Sequence, residues 1–169
     1  MRKLVYLIVV LVSALSASMA MAQENLRVPT CRDINGQDVR FVAIADPSHG
    51  PAFSMNYQGY PTIFVNWAQM KKYASSMDTQ RFIFEHECGH CKLGHIYQTN
   101  SDLSGDPRRL SKKNNNQELA ADCYAAHQIR ALGIDLRAVE KDVSLLPRDP
   151  DHPAGPVRSA NIQKCYNLR

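Results

Sequence analysis

Hydrophobic and polar positions follow three different patterns along this chain. Leu4 to Val12 is an unbroken apolar run. Val39 to Ala45 and Pro61 to Asn66 are short stretches rich in β-branched and aromatic residues. Turn formers bound both, and each is expected to be a strand, the second with proline at its start. Beyond Trp67 the apolar spacing turns helical. A short helix is expected over Trp67 to Ala74, and a longer one over Thr79 to Tyr97 with Asp78 as N-cap. Thr99 to Asn116 is polar and reads as a loop. Gln117 to Leu132 predicts the next helix, stopped at Gly133. Asp135 to Leu145 predicts a short helix, Pro147 to Pro156 a proline-rich loop, and Val157 to Asn167 a last helical stretch. The sum is a single α+β domain, with a small sheet early in the chain and helices after it.

The apolar run at the start changes how the rest is counted. Arg2 and Lys3 precede it, and Ala20-Met21-Ala22 follows it with the small-x-small pattern of a signal-peptidase site. Residues 1–22 are therefore expected to be removed, leaving 23–169 as the mature domain in the periplasm or outside the cell. The run is short beside the roughly twenty residues of a membrane span, and no later segment is long and apolar enough to cross a bilayer. The formal charge of the whole chain is only +4, and two of those charges belong to Arg2 and Lys3. That balance argues against a nucleic-acid partner.

The chain has 169 residues, 44% hydrophobic and 21% charged, which suits one globular domain. Its five cysteines, Cys31, Cys88, Cys91, Cys123 and Cys165, all lie beyond the leader. An exported chain allows disulfides, and an odd count leaves at least one sulfur out of them. Cys88 and Cys91 are three apart within one expected helix, too far for a bridge to each other. The expectation is a bridge from Cys123 to Cys88 or Cys91, with Cys31 to Cys165 as a further candidate near the two ends.

The strongest chemical signal is His86-Glu87-Cys88-Gly89-His90, a His-Glu-x-x-His pattern inside an expected helix. At 3.6 residues per turn, His86 and His90 sit about 40° apart around the axis and can reach one cation together. Glu87 lies about 60° further round, placed to take a proton from an attacking water without ligating. Two imidazoles and one carboxylate, with an open position, are a common catalytic set for Zn2+. Cys88 and Cys91 fall on the far side of the helix.

The third ligand must come from elsewhere. A metzincin would have glycine and histidine where this chain has Leu93 and Ile96. His95 would lie about 180° from His86 on a continuous helix, out of reach of the same ion. Glu118-Leu119-Ala120-Ala121-Asp122 is the better source. Glu118 and Asp122 share a face of the next long helix. Glu118 is expected to complete the ligand set, and Asp122 to accept a hydrogen bond from a ligand histidine. His49 and His127 stand at no ligand spacing and read as surface or structural residues.

These motifs, His86-Glu87-Cys88-Gly89-His90 followed by Glu118-Leu119-Ala120-Ala121-Asp122, resemble those of the gluzincin zinc metallopeptidases. Within that class the chain resembles the CAAX prenyl endopeptidase family and its small soluble periplasmic relatives. Pro61 to Asn66 is similar to that family's substrate-binding edge strand, and Phe82 to His90 to its active-site helix. Asp151-His152-Pro153, with Arg158 five residues after the proline, is similar to its late His-Pro…Arg element. The likeness runs over about residues 60–162. It implies a zincin-like domain with a small twisted sheet packed on an active-site helix and a glutamate-bearing helix. It also implies that His152 faces the cleft and that Arg158 helps hold it or the transition state. The multiple membrane helices of the membrane-bound members are absent, so prenylated substrates are not implied.

The expected activity is peptide-bond hydrolysis with one Zn2+ per chain, Glu87 as general base, and a peptide or protein substrate paired along Thr62 to Asn66. Two rivals stand beside it. One is a catalytically silent, zincin-like metal-binding module acting through a protein partner. The other is a disulfide-stapled binding or inhibitor protein in which His86 and His90 are incidental.

Overall fold

A computed structural model describes residues 28–46, 48–98, 107–146 and 152–168, with the backbone alone at 107–111. The proposed leader at 1–22, and half of the proline-rich loop (147–151), lie outside the described residues. The described chain is a small α+β domain of three strands and five helices. They run β1 (Arg40–Ile44), β2 (Ala52–Tyr57), β3 (Tyr60–Asn66), α1 (Trp67–Tyr73), α2 (Met77–Lys92), α3 (Pro107–Ala131), α4 (Leu136–Ser144) and α5 (Gly155–Asn167). A 3₁₀ turn at His95–Tyr97 follows α2.

The sheet order is β1-β3-β2, with β1 parallel and β2 antiparallel to β3. Two expectations change here. Strand β2 did not stand out in the sequence, although Phe53, Met55 and Tyr57 alternate with Ser54 and Asn56. The two-residue turn Gln58-Gly59 joins it to β3 as a hairpin. The second change follows from the first. Strand β3 is the centre of the sheet, bonded on both sides, so its backbone is not a free edge for a substrate at Thr62 to Asn66. Its burial agrees, since Thr62, Ile63, Val65 and Asn66 are all buried.

Helix α2 begins two residues earlier than the pattern suggested. Its N-cap is Ser76, whose hydroxyl accepts from Thr79 N–H at 3.0 Å, rather than Asp78. Asp78 sits in the first turn, where a negative charge suits the helix dipole. The helix also stops at Lys92, well short of Tyr97. Helix α3 starts at Pro107 rather than Gln117, because proline at a first helical position costs no hydrogen bond.

Helix α2 is buried on two faces, which is why its sequence shows no single apolar stripe. Phe84, Cys88 and Cys91 join Cys31, Val39, Ile63, Val65 and Met70 in a core beneath the sheet. Phe82 joins Ala125, Ala126, Ile129, Val139 and Ile162 in a second core among the helices. Small residues let α2 and α3 approach closely. A Cβ on Gly89 would lie 3.2 Å from both Cα and O of Ala121.

The disulfide joins Cys123 to Cys165, tying α3 to α5. It replaces both expected bridges, Cys123 to Cys88 or Cys91 and Cys31 to Cys165. The reason is helix orientation. Cys88 and Cys91 face the sheet, while α3 packs against the opposite side of α2 through Gly89. On α3, Ala121 faces that contact and Cys123 turns toward α5. Cys31, Cys88 and Cys91 remain buried free thiols. Contact with Cys31 and burial push the Cys88 thiol far above its ordinary pKa. No described helix is long and apolar enough to cross a membrane.

Candidate metal centre

The site lies where α2, α3 and α5 meet, beside the loop that enters β2. Helix α2 carries His86, Glu87 and His90, helix α3 carries Glu118 and Asp122, and helix α5 carries Arg158. His86, Glu87, Glu118, Asp122 and Arg158 are all buried. Such burial of charge requires partners, and each pairing has a direction.

His86 Nε2 lies 3.1 Å from His90 Nε2. Glu118 Oε2 lies 3.2 Å from His86 Nε2, and Glu118 Oε1 lies 3.2 Å from His90 Nε2. A tetrahedral ion with bonds of about 2.0–2.1 Å spaces its ligand atoms about 3.3 Å apart. The spacing of the two imidazole nitrogens fits that figure, and Glu118 presents one oxygen to each of them at a similar distance. Among the described residues these three are the one group of histidine, cysteine or carboxylate ligands whose atoms all lie within 4.8 Å of one another. Glu118 Oε2 is also buried without a hydrogen-bond partner, despite the imidazole nitrogen 3.2 Å away. An oxygen so placed has lone pairs available to a cation held between the two imidazoles. The buried His86 and Glu118 and the half-buried His90 could therefore hold a metal ion.

The opposite edge of His86 is held from behind. Its Nδ1 lies 2.9 Å from Asp122 Oδ1 and 3.4 Å from Arg158 Nη2. Arg158 in turn donates to both Asp122 oxygens, Nε to Oδ2 at 2.9 Å and Nη2 to Oδ1 at 2.6 Å. The sequence likeness put Arg158 near His152 or the reacting group; the structure sets it on Asp122.

The electrostatics follow from these contacts. Burial favours a neutral His86, but Asp122 on one side and the Glu118 carboxylate close on the other outweigh it and push its pKa up to about 10. Burial would raise Glu118, yet the two histidines hold it far below the usual carboxylate range. Burial would likewise raise Asp122, and the Arg158 charge and bonds lower it. Two anions, Glu118 and Asp122, thus face two cations, Arg158 and protonated His86. A metal ion bound at His86 Nε2 would take the place of that proton.

A cavity of about 590 Å³ opens over the site. Its lining includes His86, Glu87, His90, Glu118, His152 and Arg158 together with residues 48–54. His152 reaches it from the segment before α5, with Nε2 3.5 Å from Glu118 Oε2. Sequence reasoning set aside two histidines that lie at this site. His49 lines the cavity mouth, stacked on Phe53 with ring centres 4.8 Å apart. Its signal is the turn-forming sequence Asp46-Pro47-Ser48-His49 ahead of Pro51. His95 lies behind His90, with their Nδ1 atoms 3.1 Å apart. Burial, then the neighbouring His90, push its pKa down to about 4. His127 is exposed on α3, away from the site.

No family model, curated protein or solved structure matches this chain. The functional reading therefore rests on the geometry and the motifs.

Proposed function

We propose that this protein is a zinc-dependent metallopeptidase of zincin-like architecture, exported and freed of its leader, that hydrolyses peptide bonds. The observation that carries the reading is Glu87. A buried carboxylate that is not one of the three ligands lines the same cavity as all of them. A module that only bound metal would not need it. Zinc is the proposed ion because two imidazoles and a carboxylate with an open position are its common catalytic set. When bound, the ion polarises a carbonyl and makes water acidic enough to attack at neutral pH.

The chain's own residues do the remaining work. Glu87 takes the proton of the attacking water and passes it to the leaving amine. Asp122 accepts from His86 Nδ1 and keeps the Nε2 lone pair aimed at the ligand set. Arg158 holds Asp122 in that position. His152 stands at the cavity wall, where its imidazole can donate to the developing oxyanion. The substrate is a peptide or protein segment lying in the cavity along the edge formed by β2. That edge replaces Thr62 to Asn66, which lie in the sheet centre. The Cys123–Cys165 bond is consistent with an oxidising compartment.

The test is cleavage of a diverse peptide mixture by the mature, zinc-loaded protein, read by mass spectrometry beside Glu87→Gln. The expected result is cuts by the wild type that fall about 10²–10⁴-fold in the variant, with equal zinc in both. Equal silence from two fully zinc-loaded proteins would refute the peptidase and favour the metal-binding module. Failure of the wild type to retain zinc would favour the reading in which the histidines are incidental.

A further inference from the structure

His86 and His90 each have one nitrogen facing Glu118 and one facing away. For His86 the outward nitrogen meets Asp122. For His90 it meets His95, and local backbone structure brings His95 there. On a continuous helix His95 would point to the far side, about 180° from His86. Helix α2 ends at Lys92, and Gly94 then takes φ 74° and ψ 15°. That left-handed conformation suits glycine and resists a side chain. It reverses the chain into the 3₁₀ turn at His95–Tyr97. The His95 ring comes to rest with its centre 5.0 Å from that of His90, at 70° to it. The two Nδ1 atoms are 3.1 Å apart, while His90 Nε2 keeps its place 3.1 Å from His86 Nε2.

The turn is anchored from a third direction. Ile34 N–H donates to Cys91 O at 3.1 Å, Gly94 N–H to the same oxygen at 3.2 Å, and the Tyr97 hydroxyl to Asp33. Ile34 packs directly over Gly94, where an added Cβ would lie 3.2 Å from Ile34 Cδ1. His95 is therefore held by the segment ahead of β1 as well as by its own helix.

We propose that His95 is the positioning residue of His90, an inference that rests on the metal-site reading. His90 Nδ1–H donates to the lone pair of His95 Nδ1, and His95 carries its own proton on Nε2. That bond fixes the tautomer of His90, leaving the Nε2 lone pair for the ion, and fixes the rotation of its ring. Asp122 does the same for His86 with a carboxylate. An imidazole behind His90 supplies the acceptor without adding a further buried carboxylate beside Glu87, Glu118 and Asp122.

The experiment compares wild type, His95→Phe and His95→Asn. Phenylalanine keeps a ring and removes the acceptor, while asparagine can return an acceptor oxygen near the Nδ1 position. Zinc affinity is measured by competition with a chromophoric chelator, and the visible spectrum of the cobalt-substituted protein reports ligand geometry. Far-UV circular dichroism checks that all three are folded. The expected result is one tight ion in the wild type. His95→Phe should lose about 10–100-fold in affinity and show altered cobalt bands, and His95→Asn should recover most of both. Wild-type affinity and spectrum in folded His95→Phe would overturn the proposal. Equal loss in the Asn and Phe variants would also overturn it, pointing to ring packing instead. A wild type that binds no better than His86→Ala would overturn the metal site itself, and the role of His95 with it.

Discussion

Asp122→Asn keeps the shape of a buried side chain and removes its charge, which isolates the ion pair behind His86. Asp122 is fully buried and Arg158 is 8% exposed. The guanidinium makes both its bonds to this carboxylate, at 2.9 and 2.6 Å. Asparagine leaves one acceptor oxygen and sets an amide N–H₂ against a donor. Arg158 then becomes a buried cation whose paired anion is gone. Breaking a buried pair from one side costs about 3–5 kcal/mol. In a domain of this size that lowers the melting temperature by about 10–15 °C, at roughly 3 °C per kcal/mol. Arg158→Met is expected to cost a similar amount, because it leaves the buried Asp122 carboxylate with His86 but without its guanidinium. The double variant removes both charges and puts the apolar atoms of methionine in the guanidinium's place. Its cost should fall short of the sum of the singles by about 2–3 kcal/mol. Urea unfolding in the presence of a chelator measures all four proteins without a contribution from metal binding. Costs that add, or an Asp122→Asn cost below about 1 kcal/mol, would refute the claim that this pair is a coupled buried unit.

Three further outcomes follow from the packing. Gly89→Val puts side-chain atoms against the backbone of Ala121, already 3.2 Å from where a Cβ would sit. It should cost at least about 1–3 kcal/mol and release zinc, since Glu118 rides on α3; an unchanged urea midpoint and metal content would refute the close approach. Cys123→Ser opens a loop with a sequence separation of 42 and should lose about 4 kcal/mol. In the wild type, alkylation after unfolding without reductant should count three thiols, and five would contradict the bridge. The Asp142 carboxylate, which accepts from Ser75 N–H and its hydroxyl at 2.8 Å, has a pKa held below its ordinary 3.8: burial opposes this, and bonds from Thr79 and Ser75 outweigh it. Its stabilisation is thus present above that value and lost as pH falls through the folded pKa. Asp142→Asn should cost about 2 kcal/mol at neutral pH, with the gap to wild type closing below about pH 4; a gap independent of pH would refute it.

The parts of the site that could be read early are those fixed by one helix at a time. His86 and His90 converge because four residues make little more than one turn, and Glu118 and Asp122 share a face for the same reason. Pairing the two helices was a matter of chemistry, since two histidines in such a motif call for a third ligand. Strand β2 was hidden by Gly50-Pro51 at its entrance and by its partial burial, which weakens the alternation signal. The early start of α3 was hidden by Lys112 to Asn116, a polar run whose three asparagines are poor helix formers.

What the sequence determined alone was therefore local: the β1 and β3 strands, the ligand-bearing faces of α2 and α3, and a chain with sulfur to spare. Tertiary structure decided what meets what. It set β3 in the middle of the sheet, because β2 returns along it and β1 joins the other side. It sent Cys123 to Cys165, because α3 meets α2 through Gly89 and turns its cysteine toward α5. It placed Arg158 on Asp122, where a buried carboxylate needs a cation. It brought His95 to His90, because the chain reverses at Gly94 under Ile34, a residue sixty positions earlier. Helical periodicity is a property of neighbours along the chain and can be counted. Contacts across the fold depend on how packed surfaces fit, and no spacing in the sequence records that.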